Sequence, residues 1–375
     1  MKVCVTCDEL KRALECVSLA AGGSSGKGKK KEEDTTDAGG ISITAQPVGK
    51  GLCFLIFRKR GAFEVIEYTI AGKCGNDENI TCVVDGKRFI ALAKLFDGSV
   101  ELSFSPKEVL FVADSSRYRL LTLLDNEVTM PMFPATQITI SPDILQDINR
   151  RCEFTCSKDL NHIQSAMQLN LCDDGSAVCY GSQKVMASQY VVPSTGVKEN
   201  KSILILPASM AHICELSDGK DINLAIDNKG LYAVTERYKY YAKPLAGKYP
   251  DCAKIMGQPL EHTLRVSKPR LLEAISRATV VAADDAYSRL CLYTDGNDLL
   301  LEAVSEVGSA SETLALESID SPMEKRAISG IRLRSIVYAV SGDDVVIRYS
   351  APMKPLLLSS TAGECLYMLA AMALR

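Results

Sequence analysis

The sequence predicts an α+β fold in which one kind of domain occurs three times, each copy formed by two helices packed on antiparallel sheet. The first observation behind this is a recurring unit made of a helix end, a turn on glycine and a pair of strands. It reads FIALAKLFDGSVELSFSPKEVLFVAD through Asp97 and Gly98, then SMAHICELSDGKDINLAIDNKGLYAVTE through Asp218 and Gly219. A third, more degenerate copy is RSIVYAVSGDDVVIRYSAPMKPLLLSS, through Ser341 and Gly342. The turn glycines lie 121 and then 123 residues apart, the period of a whole domain and not of a solenoid unit. The second observation is a further helix near the start of each copy. The third is apolar–polar alternation around glycine turns in the stretches between helices.

In chain order, Thr6-Cys7-Asp8 leads into ELKRALECVSLA, where Leu10, Leu14 and Val17 recur at helical spacing. The segment from Ala21 to Gly40, AGGSSGKGKKKEEDTTDAGG, has a short basic run followed by an acidic one. It cannot bury enough apolar surface to order itself, so residues 21–40 are expected to be a mobile insertion. LCFLIFRKRGAFEVIEYTI then reads as strand, and the first recurring helix and strand pair follows. SSRYRLLTLLD before Phe133-Pro134 closes the first copy much as TERYKYYAKPL before Tyr249-Pro250 closes the second.

The second copy opens with Ser141-Pro142-Asp143 ahead of ILQDINRRCEF, and the third with Ser267-Lys268-Pro269 ahead of RLLEAISRATVV. In both, a serine hydroxyl is expected to cap free backbone N–H groups, and proline follows where its missing N–H costs nothing. Leu271, Ile275 and Ala278 repeat the helical spacing. Asp174-Gly175 and Asp295-Gly296-Asn297 are hairpin signals between alternating strands. Each copy thus reads as strand, helix, antiparallel strands, second helix and more antiparallel strands. The expected domains are 1–134, 135–259 and 260–375.

With 375 residues and 47% hydrophobic content, the chain can bury several cores, and no stretch approaches the roughly 18 apolar residues of a membrane span. MKVCVTCDELKRALE carries charge where a signal peptide needs an apolar run, so no export and a cytoplasmic location are expected. The 14 cysteines should then be free thiols. Cys4 and Cys7 form a lone C-x-x-C that reads as small core residues and not as a metal or redox pair.

His162, His212 and His262 are far apart in sequence and lack a companion carboxylate or cysteine cluster. The glycines of the insertion lack the G-x-x-x-x-G-K-[ST] spacing of a phosphate loop. No catalytic residue, metal site or cofactor is therefore expected. The remaining signal is charge. The formal net charge is −3, unlike a protein that grips nucleic acid with its whole surface. Basic residues nevertheless gather on the expected helices: Lys11, Arg12, Lys87, Arg88, Lys94, Arg150, Arg151, Arg270, Arg277, Arg332 and Arg334. Lys87 and Lys94 lie two turns apart, as do Arg270 and Arg277, so each pair shares a face. Such faces suit loose, sequence-independent contact with a phosphate backbone. Glu15, Glu153 and Glu273 share them, as on any solvated helix.

Over essentially its whole length the chain resembles the bacterial DNA polymerase III beta subunit, the replication sliding clamp. The likeness is clearest in LLEAISRATVVAADDAYSRLCLYTDGNDLLLEAVSEVGSASETL, in GKYPDC, and in the apolar tail YMLAAMAL. The resemblance implies a head-to-tail homodimer closing into a ring of six domains, helices lining the hole around double-stranded DNA. It implies a non-enzymatic processivity factor that tethers a DNA polymerase, placed on DNA by a separate ATP-using clamp loader. It also implies a groove for partner peptides built by Met167, Gly181, Met186, Pro250, Ile255, Met368, Ala370, Ala371 and Met372.

This chain departs from the family there. Clamps commonly show D-G-H-R-L where it has Ser182-Gln183-Lys184-Val185-Met186, and end M-P-M-R where it has Ala370-Ala371-Met372-Ala373. The lost methylenes, at about 0.8 kcal/mol each, and the lost arginine would weaken a borrowed peptide. An alternative reading is a clamp-like paralogue, of phage or mobile-element origin, that tethers a different partner.

Overall fold

The computed structural model describes residues 1–20, 39–75, 78–124, 127–135, 138–192, 200–283 and 285–374. Most of the expected mobile insertion, 21–38, lies outside the described residues, while Gly40 already belongs to a strand.

The first repeat supplies β1 (Lys2–Thr6), α1 (Cys7–Ser18), β2 (Gly40–Gly49), β3 (Leu52–Arg60), β4 (Glu64–Cys74), β5 (Ile80–Asp85), α2 (Gly86–Ala93), β6 (Ser99–Phe104), β7 (Glu108–Ala113) and β8 (Ser116–Leu121). The second supplies β9 (Ile138–Ile140), α3 (Pro142–Cys152), β10 (Met167–Leu171), β11 (Ala177–Gln183), β12 (Met186–Val192), β13 (Lys201–Ile205), α4 (Pro207–Leu216), β14 (Ile222–Ile226), β15 (Leu231–Val234), β16 (Tyr238–Ala242) and the short α5 (Cys252–Met256). The third supplies β17 (His262–Ser267), α6 (Lys268–Val281), β18 (Arg289–Asp295), β19 (Asp298–Ser305), β20 (Gly308–Ala315), β21 (Ser318–Ile319) and β22 (Arg326–Ser329). It continues through α7 (Gly330–Ala339), β23 (Asp344–Tyr349), β24 (Leu356–Ser359) and β25 (Cys365–Leu369).

The three turn glycines adopt the same backbone conformation, with φ of 77° at Gly98, 76° at Gly219 and 78° at Gly342. Only glycine enters that left-handed region without a steric cost, so the repeat seen in sequence is a repeat of local geometry. Helix starts are fixed by caps: Thr6 accepts from Glu9 N at 3.3 Å, Asp85 from Arg88 N at 2.9 Å, and Ser329 from Arg332 N at 3.5 Å. Ser267 departs from expectation. Its hydroxyl makes no capping bond, and Lys268 N donates instead to Asp343 O at 2.8 Å. The apolar stripes behave as read, with Leu10, Leu14, Val17, Leu271, Ile275 and Ala278 all at 0% exposure.

The chain forms two compact units, Met1–Pro142 with Ala211–Pro244, and Asp143–Met210 with Leu245–Arg375. The first holds a 12-stranded antiparallel sheet whose main path runs β8-β7-β6-β1-β4-β16-β15-β14-β9. In it β4 pairs with β16, Glu64 opposite Ala242 and Tyr68 opposite Tyr238, so strands of the first and second repeats share one sheet.

The second unit holds a nine-stranded sheet, β13-β10-β11-β12-β25-β24-β23-β17-β21, and a four-stranded one, β20-β19-β18-β22. In the larger, β12 pairs with β25, Met186 opposite Leu369 and Tyr190 opposite Cys365. Sheets that run between repeats were not read from the sequence, because alternation identifies a strand but not its neighbour. The hairpins at Asp174-Gly175 and Asp295-Gly296 form as expected, joining β10 to β11 and β18 to β19. All 14 cysteines are free thiols. Cys4 is exposed on β1, and Cys7 is buried at the first residue of α1.

Candidate functional sites on the helix faces and beside the tail

The basic residues of the helices fall into three kinds. Lys87, Arg88, Arg270 and Arg334 are exposed, and no carboxylate pairs with them among the described residues. Lys11, Arg12, Lys94, Arg150 and Arg277 are already engaged. Lys11 reaches Asp97 at 2.7 Å, Arg12 reaches Asp218 at 2.5 Å, and Lys94 reaches Glu15 at 3.6 Å. Arg150 bonds Asp147 at 2.6 Å, and Arg277 forks onto Glu312 at 2.8 and 2.9 Å. These pairs are solvent-exposed and cost little to break, so a stronger anion can compete for the same cations.

Arg151 is a correction. It is buried, donating to Ser341 Oγ at 2.8 Å and Cys365 Sγ at 3.2 Å beneath the ring of Tyr190, and it offers nothing to a phosphate. Adjacent helix positions differ by about 100°, so Arg150 and Arg151 cannot both face outward. Arg151 lies three residues after buried Ile148 and six after buried Leu145, on the core side of the helix. That spacing was available in the sequence.

Each histidine lies near a single carboxylate, Asp159 being three residues before His162 and the other two brought up by the fold. His212 Nδ1 is 2.9 Å from Glu64, His162 is 3.6 Å from Asp159, and His262 is 3.9 Å from Asp320.

The residues expected to build the groove are not all on one surface. Met167 and Met186 are buried at 1% and 5% exposure and serve as core. Gly181 faces the 3₁₀ turn after α3, where an added Cβ would stand 2.2 Å from Thr155 Oγ1 and 2.4 Å from Cys152 O. It is a close-approach glycine and not a groove wall. Ile255 and Ala370 are half-buried and pack with Met368 against Ala187, Met256 and Leu357. Pro250, also half-buried, precedes α5, an element the sequence did not signal; Asp251 caps that helix at 3.0 Å from Lys254 N.

The tail residues Ala370, Ala371 and Met372 line a cleft of about 550 Å³ within the second unit. Two backbone bonds hold the tail, from Ala370 N to Val185 O at 2.9 Å and from Met372 N to Ala327 O at 2.7 Å. Lys184, Val185, Tyr287 and Arg332 also line the cleft. Arg332, expected on an outward basic face, lies instead over the Tyr287 ring at 5.1 Å. Tyr287 was missed in the sequence, since an aromatic in a loop after a helix carries no periodic signal. Among the described residues, no group of three or more His, Cys, Asp or Glu side chains is arranged to hold a metal ion. No helix among them is long and apolar enough to cross a membrane.

No protein-family model matches the chain. It is similar to the beta sliding clamp of Staphylococcus aureus, 20% identical over 296 residues that cover 76% of this chain and 78% of that one. The beta sliding clamp of Staphylococcus epidermidis is 22% identical over 306 residues, 79% of this chain and 78% of that one. Among solved structures, the DNA polymerase sliding clamp from Bacillus subtilis superposes over 100% of both chains with a TM-score of 0.84 at 16% identity. The putative DNA polymerase III beta subunit from Eubacterium rectale does so with a TM-score of 0.85 at 14% identity. At such identity the likeness establishes the fold.

Proposed function

We propose that this divergent relative of the beta sliding clamps is itself a sliding clamp. It would encircle duplex DNA without regard to sequence and hold a DNA polymerase and other partners on the template. The observation that carries this reading is the state of the sheet edges. β4, β12 and β20 begin at Glu64, Met186 and Gly308, at intervals of 122 residues, and are the same strand of three repeats. β8, β16 and β25 are likewise equivalent. Two of the three combinations between repeats are used within the chain, β4 with β16 and β12 with β25. The third would join β20 to β8, and both are edge strands. An unpaired edge is a template for another strand. A second copy supplies the missing partner at each end, so two chains of three domains, 1–134, 135–259 and 260–375, close head to tail into a ring.

A closed ring needs only weak phosphate contacts, since topology and not affinity keeps it on DNA. The exposed cations Lys87, Arg88, Arg270 and Arg334 would supply these contacts, joined by Lys11, Arg12, Lys94, Arg150 and Arg277 when phosphate displaces their carboxylates. A polymerase held through a peptide in the tail cleft gains a high local concentration at the template. Catalysis and ATP use would belong to the polymerase and the loader, in the cytoplasm.

The test is retention on a nicked circular plasmid after loading with a clamp loader and ATP. Protein that survives a high-salt wash on the circle and runs off when the plasmid is linearised is a topological clamp. Protein that washes off the intact circle is not.

A further inference from the structure

We infer that the tail cleft selects an acidic peptide, a short partner segment carrying a carboxylate beside a bulky apolar side chain. The inference rests on the reading of that cleft as the partner-docking groove and specifies its chemistry. The apolar contribution is small. Ala370, Ala371, Met372 and Val185 give one shallow hydrophobic wall, enough for a single bulky side chain.

The rest of the lining is polar, and its charge is unbalanced. Lys184 is exposed on the β11–β12 turn, and Arg332 lies on the Tyr287 ring; neither has a carboxylate partner among the described residues. The carboxylate in the lining, Asp159, is occupied by its own loop. Asn161 N and Nδ2 each donate to it at 3.0 Å, and His162 Nε2 stands 3.6 Å away. The first turn of α7 reaches the cleft through Ser329 and Arg332, and it contains no acidic residue to offset its helix dipole.

Arg332 is held in place for the role. Packing on Tyr287 fixes the guanidinium plane and leaves its N–H edge free to fork onto a carboxylate, so less side-chain entropy is lost on binding. Lys184 adds a flexible second cation from the β11–β12 turn. Two cations against one loop-bound carboxylate, a helix N-terminus and one apolar wall together favour a peptide with negative charge next to its anchor side chain.

The experiment is fluorescence anisotropy on the full-length protein, without DNA, at low salt. Three labelled decapeptides share one aromatic anchor and differ in flanking residues: Asp/Glu, Asn/Gln or Lys. The acidic peptide should bind about tenfold tighter than the amide peptide, and the gap should shrink as salt rises. Lys184→Glu and Arg332→Gln should each remove about three- to tenfold of that preference. Lys184→Glu, at an exposed position, should also improve binding of the Lys peptide. Equal affinity for acidic and amide peptides, with binding still blocked by the neutral, bulky Ala371→Trp in protein of unchanged melting temperature, overturns the inference and leaves the groove reading standing. If none of the three binds, or if Ala371→Trp blocks nothing, the groove reading falls and the inference with it.

Discussion

Nδ1 of His212 on α4 stands 2.9 Å from Oε2 of Glu64, the first residue of β4, and the same carboxylate oxygen accepts from the Tyr240 hydroxyl on β16. A polar cluster therefore sits where strands of the first two repeats join. The hydrogen bond to Glu64 raises the His212 pKa above its ordinary value of 6.5, partly opposed by burial and helped by the charges of Glu64 and Glu215. A raised folded-state value means the pair's contribution is fully present below about pH 6.5. It is lost as pH rises through the folded-state value. Melting temperatures of the wild type and His212→Gln should differ most near pH 6 and converge toward pH 8.5, the gap being on the order of 1 kcal/mol. A gap that widens with pH would refute the charged pair.

Further along the same seam Glu67 works in the opposite sense. Burial alone would raise its pKa, but hydrogen bonds from Lys239 at 2.8 Å and Arg58 at 2.6 Å outweigh it and set the value below 4.5. A depressed value gives stability that is present above about pH 4.5 and lost as pH falls through the folded-state value. Glu67→Gln leaves Arg58 poorly compensated, so it should cost about 3 kcal/mol at pH 7 by denaturant unfolding, and less as the solution is acidified toward pH 3. A cost independent of pH would assign the effect to packing.

Gly98, Gly219 and Gly342 have no heavy atom within 4 Å of an added Cβ, and their φ values agree within 2°. Only backbone conformation penalises a side chain there. Each glycine-to-alanine change should cost about 1 kcal/mol, equal in all three repeats within the error of a chemical melt. Gly181→Ala should cost at least twice that, because its Cβ would collide with Cys152 O. Unequal costs among the three turns would show that the repeats differ in context more than in backbone.

The contrast between Gly98 and Gly181 marks what the sequence made legible. A repeat written in turn glycines and helical stripes depends on local geometry, and local geometry survives divergence. Which strand edges meet depends on surfaces far apart in sequence. Glu64 and Ala242 are paired although 178 residues separate them, and neither carries a mark of the other. The site suffered most from this. Residues carried over by position, such as Met167, turned out to be core, while Tyr287 and Arg332 meet only because the third repeat folds a loop against the start of a helix.

A second copy joined through β8 and β20 would pair in one register. Transferring the β4–β16 pairing by 122-residue steps puts Gly308 opposite Leu120 of a second copy, Ser309 opposite Arg119, and Ala310 opposite Tyr118. This alignment keeps faces matched. Tyr118, though 39% exposed, lies on the face that carries Phe111 and Phe96, and Ala310 lies on the same side of β20 as buried Leu314. Ser309→Cys with Arg119→Cys in one chain should form an intermolecular disulfide under mild oxidation, mapped by mass spectrometry. Shifting one cysteine by a residue, to Ala310, should suppress it by turning the thiol to the other face. Equal yield in both registers would break the transferred pairing.

The basic faces make the last distinction. Lys87, Arg88, Arg270 and Arg334 are exposed without carboxylate partners among the described residues, whereas Arg151 is committed to Ser341, Cys365 and Tyr190. Neutralising any one of the exposed four to glutamine should leave melting unchanged. It should also lower the slope of log affinity against log salt, for a short duplex, by about 1. Arg151→Gln should do the reverse, leaving the slope unchanged while costing about 2 kcal/mol of stability, since it strips a buried hydrogen-bond network. Arg277→Gln should fall between, because its guanidinium must first leave Glu312, and the accompanying Glu312→Gln should strengthen duplex binding by releasing it. A slope that responds to Arg151 and not to Arg270 would place the phosphates on a different face of the protein.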